Sequence, residues 1–270
     1  MKNWKKAIAV LTALAAALAL FGCSDAKTTT AAPQDELARI KASGKLRIAQ
    51  EGTWAPWTYH DSTDALVGYD ADVAREIAKK LGVEPVFTEG EWDGLFAGFD
   101  GGRYDMIING IEITETRRNT YDFSDAYAYA KTVIIVKQDS DAIKSFEDLN
   151  GKKTCNSIDS TYMNLAEQYG AEVMGVDSLE ETINMVLAGR VDATLNSLDS
   201  FAYYMSLFPD AKLKIAATYS EVSEVAIPFK KGDDSKTYRE AVNQALAELR
   251  ADGTLKRLSE KYFGSDVTVQ

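Results

Sequence analysis

The feature that most limits what this chain can fold into is a change of apolar spacing, from two to between three and four, repeated along residues 45–262. Residues 45–50 set Leu46 and Ile48 on one face, as a strand does. Ala74, Ile77, Ala78 and Leu81 then recur at i, i+3, i+4 and i+7, a helical stripe with Asp70 as candidate N-cap and Gly82 just past its end. Val86 and Phe87 mark a second strand, 92–99 a second helix and 104–109 a third strand, and the alternation resumes over 132–215. Short helices are expected at 146–149 and 162–169, and another along Leu179, Ile183, Val186 and Leu187. Tyr238, Val242, Ala245, Leu246 and Leu249 make an amphipathic helix, stopped by Asp252-Gly253 and followed by a helical 255–262. This order implies an α/β fold of layered, mostly parallel strands.

An internal echo adds to it. Gly102-Arg103-Tyr104-Asp105-Met106-Ile107-Ile108-Asn109 and Gly189-Arg190-Val191-Asp192-Ala193-Thr194-Leu195-Asn196 share Gly-Arg-x-Asp-x-x-x-Asn. Each copy follows a helix and runs along a strand to its Asn. Either a common helix exit has arisen twice, or the chain holds two similar α/β lobes. On the second reading each lobe delivers a strand C-terminus with an Asn and, three residues on, an acid: Glu112 and Asp199. Ligands of open α/β sheets sit beyond strand C-termini, and two such ends facing each other would enclose a cleft for a small molecule.

Composition narrows the chemistry. Lys and Arg total 30 against 41 Asp and Glu in 270 residues, a net charge of −11, which argues against nucleic acid as partner. Two Cys and one His leave no His/Cys metal cluster and no disulfide framework, so neither metal nor cofactor is implied. Residues 1–22 carry three lysines, no acid and an apolar run of about 15 residues, too short to span a bilayer, and read as a signal peptide. Leu20-Phe21-Gly22-Cys23 resembles the bacterial lipobox, with Phe21 bulkier than usual. Cys23 is therefore expected to be lipidated, with 23–36 a flexible tether and the lipid anchor the only membrane contact. Without 1–22 the chain has 27 basic and 41 acidic residues, net −14. Its remaining thiol, Cys155, is expected to be a small buried side chain.

Seven blocks in order carry a family resemblance: Gly52-Thr-Trp-Ala-Pro-Trp-Thr-Tyr59, Gly68-Tyr-Asp-Ala-Asp-Val-Ala74, Trp92-Asp-Gly-Leu95, Asn109-Gly-Ile-Glu-Ile-Thr-Glu-Thr-Arg117, Tyr121-Asp-Phe-Ser-Asp125, Asp252-Gly-Thr254 and Lys261-Tyr-Phe-Gly264. Together they resemble the bacterial extracellular solute-binding proteins of family 3, which bind polar amino acids for ABC importers. Asn156-Ser-Ile-Asp-Ser-Thr-Tyr162 and Gly264-Ser-Asp-Val267 look most like cystine-binding-like members from Gram-positive bacteria. The resemblance implies a periplasmic-binding-protein-like fold, two α/β lobes on a two-strand hinge. Lobe 1 would be 37–129 plus 226–270 and lobe 2 130–225, with crossing strands near 130–136 and 221–228.

The resemblance also assigns a site. Arg117 would clamp the ligand α-carboxylate, a planar fork whose charge-assisted hydrogen bonds are each worth roughly 1.5–3 kcal/mol. Backbone groups at Asn109, Gly110, Ile111, Ser160 and Thr161 would complete the cradle. Trp54 would stack on the ligand, flanked by Trp57 and Trp92, with Trp57 equally readable as core. Tyr162 would touch the ligand from lobe 2, and Glu51 would read its side chain. Relatives usually place an ammonium-binding Asp where this chain has Ser197, after Asn196. Glu112 is expected to replace that charge, with Asp199 as the alternative. Glu51 and Glu112 together favour a ligand with more than one ammonium: cystine first, then Arg, Lys, His or Gln. The implied protein is an extracytoplasmic monomer, with no enzymatic activity, that passes ligand to a permease. A dehydratase-like enzyme on the same fold, resembling cyclohexadienyl dehydratases, and a sensory module are the competing readings.

Overall fold

The structure is a computed structural model that describes residues 35–270. The leader 1–22, Cys23 and most of the tether lie outside the described residues. In chain order the elements are α1 (Glu36–Ser43), β1 (Lys45–Gln50), β2 (Thr53–Trp54), β3 (Thr58–His60), β4 (Leu66–Val67), α2 (Tyr69–Leu81), β5 (Glu84–Glu89), α3 (Trp92–Asp100), β6 (Met106–Ile107), α4 (Glu115–Thr120), β7 (Tyr121–Phe123) and β8 (Ala128–Lys137). Then follow β9 (Lys153–Asn156), α5 (Thr161–Gln168), β10 (Glu172–Gly175), α6 (Leu179–Leu187), β11 (Thr194–Ser197), α7 (Leu198–Leu207), β12 (Leu213–Val225), β13 (Pro228–Lys230), α8 (Lys236–Ala251) and α9 (Thr254–Phe263). A 3-10 turn at Glu147–Leu149 stands where the short helix was expected.

Two sets of parallel strands organise the molecule: β5-β1-β6 in the first half and β10-β9 in the second. The long strands β8 and β12 run antiparallel, with β11 on the other side of β8, so the expectation of mostly parallel strands holds only away from this central ribbon. One large core gathers Leu46, Ile48, Val73 and Ile77 with Val242, Leu246 and Leu258, uniting early and late residues. Separate clusters around Ile135, Cys155 and Ile183, and around Ile134, Leu149 and Leu195, fill the second set. Cys155 is fully buried and free, as expected.

The echo is a shared hydrogen-bond pattern. In the first copy Arg47 N–H donates to the Asp105 carboxylate at 2.9 Å and Asp105 N–H returns to Arg47 O at 2.8 Å. In the second, Lys153 N–H donates to Asp192 at 2.9 Å and Asp192 N–H returns to Lys153 O at 2.8 Å. Three residues further along each first strand, an amide side chain pins the next strand: Gln50 Nε2 donates to Ile108 O at 3.0 Å, and Asn156 Nδ2 to Leu195 O at 2.7 Å. Gly102 and Gly189 close the preceding helices at φ +74° and +67°, a region cheap only for glycine.

One expected cap is corrected. Gly68, not Asp70, precedes α2, and glycine is required there because a Cβ would meet Trp57 O at 2.3 Å. Asp70 instead lies fully buried inside the first turn, accepting from Tyr127 Oη at 2.8 Å and from Gly110 N–H. Burial pushes its carboxyl up to about 7, against those two hydrogen bonds. No helix of the described residues is long and apolar enough to cross a membrane.

Candidate functional site

The strand C-termini of the two halves face one another across a void of about 560 Å³, its open mouth included. The first half contributes Glu51, just past β1, Thr53 and Trp54 of β2, Trp92 at the start of α3, Gly110, and Arg117 of α4. From the second half come Asn156 at the end of β9, Ser160 to Tyr162 around the start of α5, the first turn of α6 and Asn196 of β11. Strand C-termini and helix N-termini therefore converge, and exposed main-chain amides there favour anions.

Arg117 is held from three sides. Its own N–H is capped by Thr114 Oγ1 at 3.1 Å, and its guanidinium lies 5.3 Å from the Trp92 ring centroid and 5.7 Å from that of Phe96. Among the described residues the side chain makes one hydrogen bond, Nη1 to Glu112 O at 2.9 Å. A guanidinium has five N–H donors, so four remain for whatever enters the cavity. Burial lowers its pKa, and the neighbouring Glu112 raises it. A half-buried cation with most of its donors free has the chemistry to pair with a carboxylate.

Trp54 forms a ring wall. It stacks on Trp57 at 5.6 Å and 23°, meets Tyr162 edge-on at 6.4 Å, and donates from Nε1 to Asn196 Oδ1 at 3.3 Å. Gly110 makes room for it: a Cβ there would come within 2.4 Å of Trp54, and φ is +57°. Glu51 is fixed by Asn109, whose Oδ1 accepts the Glu51 N–H at 2.9 Å and whose Nδ2 donates to the carboxylate. Burial pushes the Glu51 carboxyl up to about 7, with Glu91 adding to the rise and the Asn109 hydrogen bond opposing it.

Eight of the fourteen expected contact residues, Glu51, Trp54, Trp92, Gly110, Arg117, Ser160, Thr161 and Tyr162, are joined by Asn196 as a ninth on the cavity wall. Five are not. Trp57 is fully buried beneath Trp54, wedged against Tyr69 and Phe263, and belongs to the core. Asn109 is buried and acts on Glu51 rather than on the cavity. Ile111 is buried too, its carbonyl accepting the Ala226 N–H at 2.9 Å. Ser197 is spent as the N-cap of α7, accepting the Ser200 N–H at 3.1 Å.

Glu112 is the correction with most consequence. Its side chain is 5% exposed and lines a neighbouring groove with Thr161 and Ser223, not the central cavity. Burial raises its carboxyl, and Thr161, Arg117 and Ser223 partly offset that. Asp199, in the first turn of α7, does not line the cavity either. The acid that does is Glu51. Sequence reasoning also missed Thr53, Asn156, Ser157, Ser178, Leu179 and Thr182. One signal was present: Ser178-Leu-Glu-Glu181 is a capping-box pattern that marks a helix N-terminus.

Comparison with known proteins places the chain in a family. The family model of "Bacterial extracellular solute-binding proteins, family 3" matches residues 46–265. L-cystine-binding protein TcyA of Bacillus subtilis (strain 168) is 38% identical over 269 residues, covering 98% of this chain and 99% of that protein. Among solved structures, an ancestral arginine-binding protein bound to arginine is 36% identical with a TM-score of 0.76, over 82% of this chain and 99% of its own. The L-cystine solute receptor of Neisseria gonorrhoeae, unliganded and open, is also 36% identical, over 87% and 99%, but scores 0.59. These relatives are binding proteins, and the fold is their two-lobed α/β fold. The chain belongs to the bacterial extracellular solute-binding proteins, family 3.

Proposed function

We propose that this chain is a non-enzymatic, extracytoplasmic receptor that captures a polar amino acid between its lobes and hands it to the permease of an ABC importer. Cystine is the first ligand, ahead of Arg, Lys, His and Gln. The lobes are 37–129 plus 226–270 and 130–225, hinged on the β8/β12 ribbon, and the monomer is tethered by lipid on Cys23. The observation that carries the reading is Arg117, which among the described residues spends one side-chain hydrogen bond on protein and lines a cavity walled by Trp54 and Trp92.

In this reading the α-carboxylate seats on Arg117 and on amides near Gly110 and Thr161, and the ammonium faces Glu51 with Trp54 beneath it. An ammonium over an indole gains on the order of 0.5–2 kcal/mol. Ser160, Thr161, Tyr162 and Asn196 reach the ligand only when lobe 2 swings in, and contacts made in one state alone are what shift a population toward it. Calorimetry against each amino acid and cystine tests the proposal. Arg117→Gln should keep its thermal stability yet lose roughly 100-fold or more in affinity, two charge-assisted hydrogen bonds being removed. Unchanged affinity for every ligand that binds would overturn it, and conversion of a bound ligand to product, seen by mass spectrometry, would overturn the non-enzymatic part.

A further inference from the structure

The two lobes treat one equivalent amide side chain differently. In lobe 1, Gln50 gives its Nε2 to Ile108 O, and its Oε1 accepts from Thr58 Oγ1 at 3.2 Å, so both ends are used inside the protein. In lobe 2, Asn156 gives Nδ2 to Leu195 O at 2.7 Å and to Thr194 Oγ1 at 3.3 Å, which fixes the orientation of the carboxamide. Its Oδ1 has no hydrogen-bond partner, although the residue is only 2% exposed and lines the central cavity. A buried acceptor without a donor costs about 1–3 kcal/mol, and since this oxygen is sealed off in the present conformation, a donor meets it only where a ligand head displaces the wall beside Asn156.

The wall around it has the opposite polarity. Ser178, Leu179 and Thr182 line the same cavity, and they are the N-cap and first turn of the nine-residue helix α6. Ser178 Oγ takes the Glu181 N–H at 3.2 Å, and Thr182 N–H returns to Ser178 O at 3.1 Å. The Leu179 and Glu180 amides remain at the positive end of the helix, where carboxylates are favoured, although Glu180 and Glu181 of the same turn set two negative charges nearby that a ligand carboxylate has to outweigh. An acceptor beside a helix N-terminus is a complement to an ammonium beside a carboxylate.

We propose that Asn156 and the first turn of α6 form a second subsite that takes the far head of a ligand with two amino-acid heads. The far ammonium donates to Asn156 Oδ1 and the far carboxylate lies against the α6 amides, while Arg117 and Glu51 hold the near head. This rests on the reading that the cleft binds an amino acid, and it names the class: a diamino dicarboxylic acid such as cystine rather than a one-headed amino acid.

The test compares L-cystine, S-methyl-L-cysteine and L-arginine by calorimetry on the unaltered protein and on Asn156→Ala. S-methylcysteine keeps the near head and the sulfur but lacks the far head, and arginine has a cationic tail without the far carboxylate. The unaltered protein should bind cystine roughly 10- to 100-fold more tightly than either, the weight of one or two hydrogen bonds to charged groups. Asn156→Ala should lower cystine affinity by about tenfold or more and leave S-methylcysteine within about twofold. Because this variant also removes the hydrogen bond to Leu195 O, the ligand comparison on the unaltered protein decides alone if the variant fails to fold. Cystine bound no better than S-methylcysteine, arginine bound as well as cystine, or equal losses for all ligands in the variant would overturn the subsite and leave the amino-acid receptor standing. Binding of no amino acid at all would instead remove the reading on which it rests.

Discussion

At the scale of single residues, the site sets one guanidinium against one carboxylate, and the carboxylate has the more conditional charge. Burial pushes the Glu51 carboxyl up to about 7, and no cation among the described residues contributes to offsetting it. Its folded-state value stands above the ordinary one of 4.5, so the folded protein holds this proton more tightly than the unfolded chain does. Its contribution to stability is therefore fully present below about 4.5 and is lost as pH rises toward about 7. An ammonium in the cavity reverses that by favouring the ionised form. Affinity should accordingly fall as pH drops from 8 to 6, approaching tenfold per unit below about 7, and the ligand-induced rise in melting temperature should be larger at pH 8 than at 6. Glu51→Gln should flatten both trends while binding more weakly at pH 8. Isothermal titration across that range checks this, and an unchanged pH profile in the variant would assign the dependence to another group.

At the scale of elements, each lobe depends on how the residue before a strand fastens that strand to its neighbour. Asp105 and Asp192 make the same pair of backbone hydrogen bonds, but their surroundings differ. Asp105 is 2% exposed and also binds the guanidinium groups of Arg39 and Arg47. Burial alone would raise its pKa, but the Arg47 side chain and amide and the Arg39 side chain together hold it below the ordinary 3.8. Its stabilisation is thus present above about 3.8 and disappears as pH falls below that. Asp105→Ala would remove a buried carboxylate from two arginines whose side chains are 34% and 39% exposed and can turn to water, and should cost about 2–3 kcal/mol against about 1 kcal/mol for the exposed Asp192→Ala. Urea denaturation of the two variants at neutral pH measures the difference, and equal losses would mean that the shared backbone clasp, not the arginine pair, supplies the strength.

Those two aspartates also mark what was legible in advance. Helix stripes such as Ala74, Ile77, Ala78 and Leu81 and the repeated Gly-Arg-x-Asp were readable because local periodicity and glycine at positive φ are written in adjacent residues. Arg117 and Trp54 were readable because their motif is contiguous. Glu112 was misplaced because a one-residue step along an extended segment turns a side chain to the opposite face, here toward Thr161 and Ser223. Asn156 went unnoticed because its role depends on Leu195 and on α6, residues far along the chain that only the folded sheet brings together.

At the scale of the whole molecule, the proposed function requires two lobes that close on a ligand, because only contacts made in the closed state can shift the population toward it. Each has its own apolar core, and the connection runs through β8 and β12 with the Glu112 and Val225 bridge beside them. Among the described residues, contacts across the cleft include Trp54 to Asn196 at 3.3 Å, the edge of Tyr162 on Trp54, and the rings of Tyr59 and Tyr203 at 5.8 Å. The first two belong to the cavity wall, but Tyr203, on α7, does not line the cavity and so bears on closure apart from ligand contact. Removing its ring should destabilise the closed form while leaving the open form and its encounter with ligand unaltered. Tyr203→Ala should therefore raise the dissociation rate about three- to tenfold, the weight of one aromatic pair, with the association rate within about twofold. Stopped-flow fluorescence of the cleft tryptophans resolves the two rates. A slower association with unchanged dissociation would place the Tyr59 and Tyr203 pair in the opening of the cleft to ligand and not in the retention of ligand once the lobes have met.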